Sequence, residues 1–172
     1  GLTGLETAFR DTFPMADVQR CVVHKMRNLL SKVRKKDQAE IATDFKAIYQ
    51  SQEQVQAEAA FNKAKKKWGK KYKKEVESWE TDLPALLTFF KYPKQIRKYI
   101  YTTNLIERTN KEIRKRLKTM NSLPSIEAVE KIVFLTSHHY NEHWSTKRLP
   151  GFILASKDIE KMFCKRYKIE FI

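Results

Sequence analysis

Glycine and proline are scarce in this chain. Its 172 residues hold 4 Gly and 5 Pro, which leaves few tight turns and favours helices. The 2 cysteines, Cys21 and Cys164, make no disulfide framework, and a reducing, intracellular (cytoplasmic) setting is the expectation. Long apolar runs are missing. The longest uncharged one, residues 83–90, falls far short of the roughly 20 residues needed to span a bilayer, so no membrane role is expected. No charged-then-apolar leader opens the chain, and it begins at Gly1 instead of Met, as expected of a fragment or a processed product. Acids are short relative to bases. Twenty Asp and Glu stand against 35 Lys and Arg, a net charge of +15. Such a surface attracts polyanions, of which nucleic acid is the commonest. A generic Lys-rich surface is the plainer alternative.

What is present suits a folded protein. Hydrophobic residues make up 41% and aromatics 12%, above the range of disordered chains. A compact chain of this size buries about 70% of its unfolded surface.

Taken in order, Leu2, Leu5, Phe9 and Phe13 give residues 2–13 an amphipathic helical pattern, stopped by Pro14. Residues 18–23 are short and β-branched and read as one strand, followed by a helix from about His24 to Arg34. A helix is expected over residues 38–50, with Ile41, Phe45, Ile48 and Tyr49 on one side. Another is expected over residues 53–72, with Ala57, Phe61, Ala64 and Trp68. Its later half carries Lys63, Lys65, Lys66, Lys67, Lys70, Lys71, Lys73 and Lys74 without an acid. Such a run is either a solvated face or a surface for the DNA backbone. Residues 75–91 hold Val76, Trp79, Leu83, Leu86, Leu87 and Phe90, with Pro84 kinking one helix or starting a second. A short helix leads into residues 101–118. Ser125 is the expected N-cap of a long helix to about Trp144, and residues 158–167 form a last helix after the Pro150-Gly151 turn. One strand cannot make a sheet. The chain is therefore mainly α, or its strand belongs to a sheet completed elsewhere.

Residues 101–118 are the chemically richest stretch. Ile106, Ile113 and Leu117 recur at helical spacing, and Glu107, Asn110, Lys111, Arg114 and Lys118 form a second stripe. One carboxylate among an amide and cations suits a site that handles phosphates. The plainer alternative makes Glu107 the capping-box partner of Asn104. Cys21-x-x-His24 and His139-x3-His143 together have enough ligands for zinc, but more than a hundred residues separate them.

Ordered motifs then point to a family. Gly1-Leu2-x-Gly4-Leu5, Phe13-Pro14, the Cys21-x-x-His24 segment, Asp44-Phe45-Lys46-Ala47-Ile48-Tyr49, Phe89-Phe90-x-Tyr92-Pro93-x-x-Ile96-Arg97 and Thr102-Thr103-Asn104-x-Ile106-Glu107-x-x-Asn110 resemble the C-terminal part of bacterial Mutator-type insertion-sequence transposases. These are members of the DDE transposases, and the likeness covers about residues 1–145. The resemblance implies a ribonuclease-H-like fold with one β-strand retained here and an α-helical insertion. Its parts would be a partial core over 1–34, the insertion over 35–100, core helices over 101–144 and a tail over 145–172. It implies three acidic residues that hold two Mg²⁺ or Mn²⁺ ions. Glu107 matches the third acid. The second is expected immediately before Gly1 and the first further upstream, and Asp11, Asp17 and Asp44 occupy no matching position. It also implies DNA as partner, action as a homo-oligomer, and a bacterial cytoplasm. His24 is expected near the DNA end or the metals. Asn110, Lys111, Arg114, Lys115 and Lys118, with Lys66, Lys67, Lys70 and Lys71, are the candidate DNA contacts. The competing expectation is a non-catalytic basic helical module that binds nucleic acid, or a decayed remnant of a transposase.

Overall fold

The computed structural model describes residues 4–118 and 125–170. Among them the regular structure is helical. In order come α1 (Leu5–Thr12), α2 (Val22–Lys32), α3 (Gln38–Gln50), α4 (Gln54–Trp68), α5 (Lys73–Leu86), α6 (Arg97–Ile100), α7 (Asn104–Lys118), α8 (Ile126–Ser145) and α9 (Phe152–Tyr167). Single 3₁₀ turns, Lys35–Asp37 and Thr88–Lys91, precede α3 and follow α5.

The core is built by residues three or four apart on α2 to α5. Val22, Met26 and Leu29 from α2 meet Ile41, Phe45 and Ile48 from α3, Ala57, Phe61, Ala64 and Trp68 from α4, and Val76, Trp79 and Leu86 from α5. At its centre the Phe45 and Trp79 rings stand 4.9 Å apart, edge to face, a geometry that suits the ring quadrupoles. The following turn adds Phe89 and Phe90 to the same cluster. Pro84 falls within the last turn of α5 and starts no second helix. Arg97 ties the next segment down, donating to the carbonyls of Gln52, Phe90 and Tyr92.

The expected strand is not formed among the described residues. Val22 and Val23 already belong to α2, and residues 16–21 connect without a ladder. The β-branched run has no neighbouring strand, so its backbone groups are satisfied otherwise. Arg20 N–H donates to the Ala85 carbonyl and Val22 N–H to the Tyr101 carbonyl. The Gln19 side chain donates to the Leu86 carbonyl and accepts from Phe89 N–H.

The helix expected over 158–167 begins earlier, at Phe152. Gly151 caps it with φ +94°, and a Cβ there would lie 2.5 Å from the Gln95 carbonyl oxygen. Only glycine tolerates both the angle and the approach. Ala155, fully buried, heads a stripe continued by half-buried Ile159, Met162 and Arg166. The Phe152 ring packs tilted against Tyr99, and Arg166 reaches Asp17 at 2.6 Å. Ser125 caps α8 as expected, its hydroxyl accepting from Ala128 N–H. Leu123 and Pro124, just ahead of that cap, lie outside the described residues, as do Gly1 and Leu2 of the opening motif and the last two residues of the tail.

Candidate active site

The 101–118 stretch folds as one helix preceded by an anchored turn. Tyr101 packs its ring 5.2 Å from Phe89 and 6.0 Å from Tyr49, while its carbonyl receives Val22 N–H at 3.0 Å. That bond fixes the first turn of α2 beside the first turn of α7. His24 thereby meets Glu107, over eighty residues away along the chain. His24 Nε2 lies 3.4 Å from Glu107 Oε1, with both side chains about half exposed.

Thr103 joins the cluster. Its hydroxyl donates to Glu107 Oε1 at 2.6 Å. The same oxygen is 3.4 Å from Cys21 Sγ and 3.4 Å from His24 Nδ1. The two side chains of the Cys21-x-x-His24 motif therefore converge on one hydroxyl that also holds the carboxylate. Burial pushes the Cys21 thiol up, but hydrogen bonds from Thr103 and His24 outweigh it and bring the thiol below its ordinary range.

The capping-box expectation is corrected. Thr103 supplies the carbonyl that receives Glu107 N–H, at 2.8 Å, so Asn104 is already the first helical residue. Glu107 sits one position too late for the box, and its carboxylate bonds a side chain. The apolar stripe also differs. Ile113 and Leu117 are half-buried with Leu105 and Thr109, but Ile106 is 62% exposed. A helix that packs chiefly on α8 buries a narrow face.

Asn110, Lys111, Arg114, Lys115 and Lys118 are all exposed on α7 with Glu107. Lys115 also pairs with Glu112 at 2.8 Å. The lysines of α4 and the turn after it divide into two groups. Lys67 pairs with Glu40 and Asp44, each at 2.6 Å, and Lys71 with Asp37 at 2.7 Å. Asp44 also receives the Trp68 indole N–H, and Asp37 the Tyr72 hydroxyl. These bonds hold Asp37 below the usual carboxylate range, Lys71 first; for Asp44 they outweigh the opposing push of burial. Lys67 and Lys71 thus staple α4 and its following turn to α3 and the 3₁₀ turn before it. Lys66 and Lys70 make no ion pair among the described residues and project to solvent.

Zinc on the two His-containing pairs finds no support. His143 Nε2 faces Lys147 Nζ at 2.6 Å, and no group of three or more His, Cys, Asp or Glu able to hold a metal occurs among the described residues. No helix among them is long and apolar enough to cross a membrane. Thr103 was not singled out from sequence. The available signal was a hydroxyl four residues before the candidate acid, at the position that precedes the helix.

Comparison with known proteins agrees with the motifs. The chain is 38% identical over 163 residues to the transposase for insertion sequence element IS905 of Lactococcus lactis subsp. lactis (strain IL1403), covering 95% of this chain and 41% of that protein. It is 36% identical over 140 residues to the transposase for IS1201 of Lactobacillus helveticus, covering 81% and 38%. Against the transposase for ISRM3 of Rhizobium meliloti (strain 1021) it is 33% identical over 171 residues, covering 97% and 42%. The chain spans about two fifths of the length of these curated relatives. Residues 1–147 match the profile of the Mutator-family transposases, and the chain belongs to that family.

Proposed function

We propose that this chain supplies the third metal-binding carboxylate, Glu107, and part of the DNA-contacting surface of a DDE transposase that cleaves and transfers DNA strands. The observation that carries the reading is the meeting of Glu107 with His24 at 3.4 Å through residues of two family motifs. The donor chemistry fits in part. A hard divalent ion such as Mg²⁺ takes oxygen ligands, and Glu107 is an exposed carboxylate at a helix start. The chain by itself offers one such acid there, so a pair of ions would need carboxylates from outside these residues. When bound, that pair would supply an activated oxygen nucleophile and stabilise the leaving oxygen.

The chain's own residues position and bind. Glu107 presents one oxygen to Thr103 and His24, and its other oxygen remains for a ligand. Asn110, Lys111, Arg114, Lys115 and Lys118 present donors along the same helix for the phosphates on either side of the cut. A protonated His24 would donate from Nε2 toward Glu107 or a nearby phosphate. Lys66 and Lys70 would hold flanking DNA. In the same reading the fold is ribonuclease-H-like, residues 35–100 are its helical insertion, and the protein acts as a homo-oligomer on DNA ends.

Glu107→Gln in a full-length transposase carrying this sequence tests the reading. Strand cleavage should disappear while DNA binding persists; normal cleavage by the variant would refute it. A second reading, a non-catalytic DNA-binding module, is favoured by the exposed Lys66 and Lys70, which make no ion pair among the described residues. It predicts that residues 1–172 bind DNA with a steep salt dependence and that no full-length form cleaves.

A further inference from the structure

We propose that Thr103 is the positioning residue of Glu107, holding its carboxylate toward His24 and away from the cations of its own helix. The inference deepens the reading of Glu107 as a metal-binding acid and rests on it. A glutamate at this place on a helix has a competing partner. Lys111 lies one turn further on, and Glu followed by Lys at that spacing is the favourable orientation for a surface pair. Capture by Lys111 would turn the carboxylate along the helix and occupy its oxygens with an ammonium.

The structure shows the other arrangement. Glu107 makes no ion pair with Lys111 among the described residues, and takes the Thr103 hydroxyl at 2.6 Å instead. Helical side chains lean toward the N-terminus, so a donor four residues earlier meets the carboxylate in its natural direction. That donor is itself fixed. The backbone around it is tied to α2 by the bond from Val22 N–H to the Tyr101 carbonyl and to α7 by the bond from Glu107 N–H to its own carbonyl. Thr103 is half-buried, with Cys21 Sγ and His24 Nδ1 each 3.4 Å from its hydroxyl oxygen. A hydroxyl has one proton, and Glu107 and Cys21 compete for it. The shorter distance gives Glu107 the stronger claim. The side chain therefore does for a carboxylate what outer hydrogen-bond partners do for metal ligands generally: it selects one orientation before the ion arrives.

The test uses three variants of a full-length transposase carrying this sequence. Thr103→Val keeps the shape and deletes the hydroxyl, Thr103→Ala deletes it without a methyl against Cys21, and Thr103→Ser keeps it. Mn²⁺ binding is followed by titration calorimetry with DNA bound, and cleavage is followed against Mn²⁺ concentration. Thr103→Val and Thr103→Ala should weaken Mn²⁺ binding about 10- to 100-fold, the range for outer-sphere partners, and raise the Mn²⁺ needed for half-maximal cleavage in step. Thr103→Ser should stay close to the parent, and DNA binding should not change. Unchanged Mn²⁺ binding in both hydroxyl-free variants overturns the proposal. So does a Thr103→Ser variant as impaired as Thr103→Val, since a lost hydroxyl then cannot be the cause. Glu107→Gln run in parallel separates the two readings. If it cleaves normally, the metal-ligand assignment falls; if it is inactive while Thr103→Val is normal, the positioning role alone falls.

Discussion

Asp17, together with Tyr92, ties the C-terminal helix to the rest of the molecule at its far end. Its carboxylate accepts from Lys91 at 2.7 Å, from the Tyr92 hydroxyl at 3.0 Å and from Arg166 at 2.6 Å. Of these three donors Arg166 alone belongs to α9, so its bond to Asp17, beside its bond to Tyr92, resists the helix lifting away. Replacing Asp17 by Asn removes the charge and leaves one acceptor oxygen for three donors. A hydrogen bond to a charged group is worth about 1.5–3 kcal/mol. Arg166 is 28% exposed and Asp17 19%, so screening trims this to about 1–2 kcal/mol. An opening equilibrium shifted by that amount changes about 5- to 30-fold. Hydrogen exchange followed by mass spectrometry reads it directly. In Asp17→Asn the amides of the last two turns of α9 should exchange faster by that factor, while α3 and α4 keep their protection. Arg166→Met, which also loses the bond to Tyr92, should give at least that acceleration, and the double variant should add little to it. Wild-type exchange across α9 in Asp17→Asn would refute the tether, and equal acceleration in α3 and α4 would show a global loss instead.

The same contact predicts a pH dependence. Burial pushes Asp17 up, but its bonds to Lys91 and Tyr92 and the charges of Lys91 and Arg166 hold it below its ordinary value of 3.8. A depressed carboxylate contributes stability above its unfolded value and loses it as pH falls through the folded one. The α9 amides should therefore lose protection below about pH 4, ahead of the core, and a scan in which core and α9 melt together would count against this. Trp79 is 1% exposed and its indole N–H is buried without a partner among the described residues. Trp79→Ala should cost about 3–5 kcal/mol in urea unfolding followed by circular dichroism. Trp79→Phe should cost clearly less, because it also removes a donor whose burial is unfavourable by about 1–3 kcal/mol; equal costs would mean the donor is satisfied. Lys66→Gln with Lys70→Gln should weaken DNA binding and lower the salt slope by about 2 without moving the melting temperature. Lys67→Gln with Lys71→Gln should lower the melting temperature, because those cations pair with Asp44, Glu40 and Asp37; the reverse pattern would undo the division of the lysines.

The helical core was legible because its signal is local. Ile41, Phe45 and Ile48, or Ala57, Phe61, Ala64 and Trp68, repeat every three or four residues, and the structure buries each of them. Residues 18–23 misled because β-branched composition reports a half-buried surface and not a ladder. Here Val22 packs in the core as the first residue of a helix, and Gln19 supplies bonds a neighbouring strand would have made. The start of α9 was missed for a related reason. Pro150-Gly151 reads as a turn, and only the approach of Gln95 to Gly151 shows that the turn is also the helix cap. The divided roles of the lysines of α4 and the turn after it were not legible either, since Glu40 and Asp44 lie on α3 and Asp37 in the turn before it.

The candidate site was legible residue by residue but not as an assembly. Glu107 and His24 stand out through motifs, yet nothing in either motif says that they touch. Contact arises because Tyr101 is held by Phe89 and Tyr49 from the helical core and passes that position to Val22 through its carbonyl. Cores resist small displacements because they are close-packed, so the first turns of α2 and α7 inherit the stiffness of α3 and the turn after α5. This gives the helices between residues 35 and 100 a role beyond presenting lysines. Without the aromatic contacts of Tyr101, neither the Val22 bond nor the Thr103 hydroxyl has a fixed place, and Glu107 returns to being one exposed acid on a basic helix.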